Sequence, residues 1–374
     1  MDAHNPLKMI CQAPLAARKI LVMRYRFIGD TILTVPFLRN LRYYYPDSQI
    51  DVLVGPESGK VLEGCPYINQ LLPFDTTNFH KYDRGNGQKL SFLQQAKHLR
   101  ERKYDLVFVL KRSFSSALLA WLSSAAHRVG WDTEYRRLFL THPVPWNKHV
   151  HEVEALLDVL RAAGVEPIDD YLEAWVCQSE KEELLSLVPA LGSSKPKVLF
   201  HAASAHPDKM YPLSSWAEVM KLLAQKHDFL PFFIGAAQDR QIYEQLQEMA
   251  GMAGVNLAGD LSLRQSIVLL STLDLAVSTD SGPSHLAAAA GCRVVALFGP
   301  TDPVRWRPFG KLHKAVFDAQ LPCRPCNYKK TCQGQRQCLS QLSARQVAAE
   351  CGEMLQDIAD GPKNLPLADP CPQS

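Results

Sequence analysis

Asp280, Ser281, Gly282, Ser284 and His285 fall within one short stretch of the chain and form a set suited to holding an anion. Ser281, Ser284 and His285 can donate hydrogen bonds to phosphate oxygens, and Gly282 lets a ligand approach the backbone closely. The apolar run 275–277 before them ends as a buried parallel strand would. After them come Leu286, the alanines 287–290 and a closing Gly291, with Pro283 suited to a first helical turn. The set therefore lies where a strand's carboxyl end meets a helix N-terminus, whose unpaired N–H groups and dipole favour negative charge. Capping of the helix by Ser281 or Asp280 is the ordinary alternative. A second polar turn, Gly-Pro-Thr-Asp-Pro at 299–303, follows the next apolar strand and favours a ligand site over two caps.

Other residues could extend such a site. Asp30 follows Gly29 after the first apolar run. It reads either as a helix cap or as a carboxylate able to take a proton from a hydroxyl. Lys209 stands in the polar loop 202–212, beyond another apolar run, where a solvated lysine is the plain alternative. Asp239 follows Gly-Ala-Ala-Gln at 235–238 and could bind ribose hydroxyls or cap the next helix. Arg24, Arg26, Lys111 and Arg112 lie just beyond strand ends. Such a basic rim would suit an anionic partner, with an ordinary solvated surface as the alternative. Cys323, Cys326, Cys332 and Cys338 are dense enough to hold zinc, yet their spacing departs from a paired C-x2-C template. Free thiols or a regulated disulfide stay open. The other six cysteines, Cys11, Cys65, Cys177, Cys292, Cys351 and Cys371, are scattered and read as inert.

The elements that must position these residues alternate between strand and helix. Strands are expected at 19–23, 50–54 and 105–110. Helices are expected around Ile32 to Leu41, with Pro36 early in that segment, and at 91–102, 114–125 and 150–163. The sequence turns polar around 179–196, and Gly-Ser-Ser-Lys-Pro at 192–196 reads as a linker. A fresh alternation follows, with strands at 198–201 and 229–234 and helices at 214–225, 239–250 and 263–270, leading into the anion-binding stretch. Two such arrays predict an α/β protein with two doubly wound, Rossmann-like domains facing across a cleft. The expected division is an extension at 1–18, a first domain at 19–180, a second at 197–358 and a disordered, Pro-rich tail at 359–374.

The combination D-S-G-P-S-H-L-A-A-A-x-G at 280–291 and V-x-L-F-G-P-T-D-P at 295–303 resembles glycosyltransferase family 9, the heptosyltransferases of lipopolysaccharide core assembly. The resemblance runs from about residue 19 to about residue 347. It implies GT-B architecture and, at Gly29–Asp30, the family's G-D motif, whose Asp acts as catalytic base. Lys209 matches the family's K-x-W-P segment, whose Lys contacts donor phosphates; here Tyr211 stands in place of the Trp. The resemblance further implies a nucleotide-diphosphate sugar donor, ADP-heptose, held by Lys209, Asp280, Ser281, Gly282, Ser284 and His285, with Asp239 added as a donor contact from its position alone. The implied acceptor is an anionic glycolipid, met by Arg24, Arg26, Lys111 and Arg112. No cofactor or metal is implied, and the cysteine-rich segment becomes a structural element shared with relatives.

Length and composition narrow the alternatives. The chain has 374 residues and 47% hydrophobic content, enough for two cores. Its formal charge of +3 is too mild, and its aromatics too scattered, for a nucleic-acid-binding protein. Residues 1–17 hold no sustained apolar segment of signal-peptide type, and no run approaches a membrane span. A cytoplasmic location with reduced thiols is therefore expected, with peripheral contact at the inner membrane face left open. A nicotinamide-dependent oxidoreductase is the rival enzyme, and the loop 24–30 lacks its G-x-G-x-x-G. A non-catalytic nucleotide-sugar-binding protein is the other rival.

Overall fold

The computed structural model describes residues 13–25, 27–75, 90–204, 206–329, 332 and 335–360. Arg26, the first twelve residues and the tail from residue 361 onward lie outside the described residues. The chain divides into two compact units, Met1–Tyr171 and Leu172–Ser374.

The first unit runs β1 (Lys19–Met23), α1 (Ile28–Ile32), α2 (Val35–Tyr44), β2 (Gln49–Val54), β3 (Gln70–Pro73), α3 (Phe92–Glu101), β4 (Leu106–Val109), α4 (Phe114–Leu122), β5 (His127–Trp131), β6 (His142–Val144) and α5 (Glu152–Ala162). The second opens with α6 (Gln178–Leu187), β7 (Lys197–His201), α7 (Leu213–Ala224), β8 (Leu230–Phe233), α8 (Arg240–Ala250), β9 (Val255–Asn256) and α9 (Leu263–Leu270). It continues with β10 (Leu275–Thr279), α10 (Gly282–Ala289), β11 (Arg293–Leu297), α11 (Pro303–Trp306), β12 (His313–Val316), α12 (Gln337–Ser340) and α13 (Ala344–Asp360).

Each unit holds one six-stranded sheet, ordered β3-β2-β1-β4-β5-β6 and β12-β11-β10-β7-β8-β9. The pairings are parallel. Counted from the start of its own unit, each sheet has the strand order 3-2-1-4-5-6 of a doubly wound nucleotide-binding fold. The order reverses between β1 and β4 in one sheet and between β7 and β10 in the other. Strands covered by helices on both faces must be apolar throughout, and residues 20–23 are fully buried. Leu21, Met23, Val107 and Val109 pack with Ala96 and Leu99 of α3 and Ala117 and Ala120 of α4. On α2, Phe37 meets Phe108 of β4 edge-on at 5.0 Å. In the second unit Val198 and Phe200 join Trp216, Met220 and Leu223 of α7 and Val347, Cys351 and Leu355 of α13.

The same latch starts both sheets. Asp105, before β4, accepts from the N–H groups of Arg18 and Lys19 at 2.9 Å each. Asp274, before β10, accepts from the Lys197 N–H at 2.8 Å. Backbone bonds Asp105 N–Lys19 O (2.9 Å) and Asp274 N–Lys197 O (3.0 Å) complete the pair.

Three expectations change. The segment around Pro36 is two helices, because the chain breaks after Ile32 and α2 restarts with Pro36 in its first turn. The polar stretch ahead of the expected linker at 192–196, where no helix is expected, contains α6, which lacks an apolar stripe but is pinned to α9 by two 2.7 Å bonds from Arg264 to Glu180. Cys177, expected as an inert thiol, is disulfide-bonded. Among the described residues, no helix is long and apolar enough to cross a membrane.

Candidate functional site

The topology puts the candidate residues at the carboxyl ends of the strands flanking each reversal, where ligands bind in open α/β sheets. In the first unit these are the loops after β1 and β4, paired from Ile20–Leu106 to Met23–Val109. In the second they are the loops after β7 and β10, paired from Val198–Leu275 to His201–Ser278.

Asp30 sits inside α1, whose N-cap is Phe27, so its carboxylate is not a helix cap. The side chain is 28% exposed and lies 3.4 Å from the Arg24 guanidinium. Arg24 is buried and donates to the Asp30 carbonyl (3.2 Å), to the Leu110 carbonyl and to Glu152 Oε1 (2.9 Å). Burial works against its charge, but Asp30 and Glu152 more than offset it and hold its pKa above the ordinary arginine value. The sequence puts Arg24 on an exposed basic rim. The structure turns its guanidinium inward instead, as the holder of the Asp30 loop. Lys111 and Arg112 stay half-exposed after β4 and lie over aromatic rings, Lys111 over Tyr25 and Arg112 over Trp146, both at 4.2 Å. Beneath them the fully buried Arg136 donates to the carbonyls of Lys111 and Trp131, with its pKa lowered by burial to about 10. Arg26 lies outside the described residues.

In the second unit Lys209 ends a short turn after β7. Its ammonium is 2.7 Å from Asp280 Oδ2, and the same oxygen accepts from Thr301 Oγ1 at 2.7 Å. Burial lowers the Lys209 pKa, but the charge and hydrogen bond of Asp280, together with Tyr328, raise it above the ordinary lysine value. The cation is therefore fixed and permanent near neutral pH. Asp280, itself buried, anchors Lys209 and does not cap α10, whose N-cap is Ser281.

Ser281 makes no capping bond either. Its hydroxyl turns back to the Thr279 carbonyl at 3.1 Å, leaving the first turn of α10 uncapped by side chains. Ser281 and Gly282 are half-exposed. Ser284 and His285, expected beside the ligand, are buried, and the Ser284 hydroxyl donates to the Ser281 carbonyl at 2.7 Å. These two residues build the turn rather than present its surface. Asp239 accepts from the Ala236 N–H at 2.8 Å. It closes its own turn, and a Cβ on Gly235 would stand 2.6 Å from its carboxylate.

Among the described residues no group of three or more His, Cys, Asp or Glu side chains is placed to hold a metal ion. Cys323, Cys326, Cys332 and Cys338 are free thiols. Sequence reasoning missed Glu152, Arg136, Thr301 and Tyr328 as members of these clusters. Only Thr301, within the second polar turn, carried a local signal.

The sequence pattern of glycosyltransferase family 9 (heptosyltransferase) matches residues 92–336. Lipopolysaccharide heptosyltransferase 2 of Salmonella typhimurium is 29% identical over 354 residues, covering 91% of this chain and 99% of the relative. The structure of the Escherichia coli ADP-heptose lipopolysaccharide heptosyltransferase II is similar with a TM-score of 0.72 at 25% identity, over 91% of this chain and 99% of that one. A family 9 glycosyltransferase from Veillonella parvula gives 0.79 at 23% identity, over 91% and 98%. The two doubly wound units are the α/β, GT-B architecture of these neighbours. The family match also removes the nicotinamide enzyme, which the strand order alone would have allowed. The chain belongs to glycosyltransferase family 9, the heptosyltransferase family.

Proposed function

We propose that the chain transfers heptose from ADP-heptose to a lipopolysaccharide core acceptor with inversion at the anomeric carbon. The observation that carries this reading is the Lys209 ammonium, locked at 2.7 Å on Asp280 at the strand reversal beside the uncapped end of α10. A leaving diphosphate gains negative charge in the transition state, and a fixed cation with oriented N–H groups stabilises it without reorganisation. The second unit is the donor domain, and the first is the acceptor domain. Asp30 takes the proton from the acceptor hydroxyl as its oxygen bonds to the anomeric carbon and ADP leaves. Arg24 and Glu152 hold Asp30, while Lys111 and Arg112 meet anionic acceptor groups. The names of the relatives, lipopolysaccharide heptosyltransferase 2 and ADP-heptose lipopolysaccharide heptosyltransferase II, support donor and acceptor alike. The reaction is independent of a metal ion and takes place in the cytoplasm at the inner membrane face, where a glycolipid acceptor is assembled.

Thermal stability measured with ADP, UDP, GDP, CDP and NAD, with and without EDTA, tests the donor. ADP should raise the melting temperature, EDTA should leave that rise intact, and Lys209→Ala should abolish it. A rise with another nucleoside diphosphate in place of ADP discards heptose as the sugar. A rise with NAD alone, or with none of the five, overturns the donor site.

A further inference from the structure

We propose that the outer face of α4 and the neighbouring turn Arg136–Leu138 form a docking surface for the headgroup layer of an anionic phospholipid bilayer. This rests on the reading of the first unit as the acceptor domain, and it names the surface that would carry that unit to a membrane holding a glycolipid acceptor.

Phe114, Leu118 and Trp121 follow one another at helical spacing on α4 and share one face. Phe114 is 46% exposed and Trp121 49%, with Leu118 half-buried between them. The Phe139 ring joins the two, 5.2 Å from Phe114 edge-on and 6.0 Å from Trp121. The turn before Phe139 packs on α4, and at this turn Tyr135 and Leu138 stand 85% and 80% exposed. A backbone bond from the Leu138 N–H to the Tyr135 carbonyl, at 3.5 Å, closes it. Glu134 and Tyr135 hold φ of 54° and 58°, a left-handed pair that side-chain-bearing residues keep only where their surroundings over-determine it. The Glu134 carboxylate supplies part of that hold by accepting from the Phe114 N–H at 3.3 Å.

Large apolar side chains gathered at one exposed place leave water only when something covers them. Charge decides what the cover is. Between residues 111 and 139 stand five basic side chains, Lys111, Arg112, Arg128, Arg136 and Arg137, against two acidic ones, Asp132 and Glu134. That excess equals the formal +3 of the whole chain, so the other residues are neutral on balance. Arg137 is exposed between Arg136 and Leu138, while the Glu134 carboxylate is turned to the first turn of α4. An anionic headgroup layer complements this charge. Tryptophan and tyrosine suit the boundary between headgroups and acyl chains, and phenylalanine and leucine enter the apolar side of it. Because α4 opens two residues after Arg112, the docked face runs on into the loop assigned to the acceptor's anionic groups. Docking there raises the local concentration of a membrane-held acceptor at that loop.

Flotation of the full chain with vesicles of phosphatidylcholine, and of equal parts phosphatidylcholine and phosphatidylglycerol, tests the surface with no glycolipid present. The chain should bind the anionic vesicles, and phosphatidylcholine alone at least about tenfold more weakly. Tyr135→Ser/Leu138→Ser should weaken binding to anionic vesicles about tenfold or more, and Arg137→Gln about fivefold. Both variants should keep the melting temperature of the wild type and its rise with ADP, since the replaced side chains are exposed. Wild-type vesicle binding by Tyr135→Ser/Leu138→Ser places the contact elsewhere and overturns the proposal. Absence of binding to either vesicle overturns it too, as does a concentration-dependent dimer in its place that Tyr135→Ser/Leu138→Ser dissolves, because the face then meets a second copy. Vesicle binding with the expected losses by a chain that ADP fails to stabilise upholds the surface and discards the donor reading, so the two fail separately.

Discussion

Asp30 and its buried supports, Arg24 and Glu152, define what single substitutions should do in the first unit. Asp30→Asn keeps the shape of the loop and removes the base. Turnover should fall by about 100- to 10,000-fold in a donor-consumption assay, with a lower urea midpoint as well, because the buried Arg24 loses one of its two carboxylate partners. Glu152→Gln leaves the buried Arg24 charge short of a partner. It should lower stability by about 3 kcal/mol in urea unfolding, the cost of breaking a buried pair. His201 gives the pH dependence. Burial lowers its pKa to about 4, against the pull of Asp239, whereas an unfolded histidine titrates near 6.5, so between these values the unfolded state binds more protons. The contribution is whole above about pH 6.5 and is lost as pH falls through the window, by about 3 kcal/mol at its acid end. His201→Gln cannot take up that proton, and its melting temperature should decline less between pH 6.5 and pH 4.

Two serines with opposite duties separate stability from binding at the scale of elements. Ser262 caps α9 through a capping box with Gln265, whereas Ser281 stands at the N-cap of α10 without a capping bond. Ser262→Ala should cost about 1 kcal/mol and leave ADP affinity unchanged. Ser281→Ala should cost less than about 0.5 kcal/mol and weaken ADP; a cost equal to that of Ser262→Ala would restore the cap as its role. The sequence made the difference hard to read, since both are serines ahead of helices. It did make the long buried strands and amphipathic helices readable, because continuous apolar runs and helical spacing are local signals. The strands β3, β5, β6, β9 and β12 escaped because they are only partly buried and interrupt their apolar residues with polar ones or glycine, and they draw their order from sheet neighbours. In the same way α6 escaped because its partner, Arg264, is 84 residues away. Asp30, Lys209 and Asp280 were visible as polar residues after apolar runs. Arg24 as a buried strut and Tyr328 as a neighbour of Lys209 were not, since both depend on contacts distant in sequence.

At the scale of the whole molecule the two sheets share a strand order and a starting latch, although the sequence carries no visible repeat. Asp105→Ala and Asp274→Ala each remove backbone hydrogen bonds to a carboxylate and should each cost about 1–3 kcal/mol. Because the residues belong to different units with no partner in common, the double variant should show the sum of the two costs in urea unfolding. Two cores also mean that heat can take the chain apart in two acts, each with its own enthalpy. A ligand protects whatever it is attached to, in proportion to the logarithm of its concentration over its dissociation constant. In differential scanning calorimetry ADP should then lift one heat-absorption peak and leave the other where it was. Asp274→Ala should lower that same peak, and Asp105→Ala its neighbour. A calorimeter, which sees no atoms, would thereby report which half of the polypeptide carries the nucleotide.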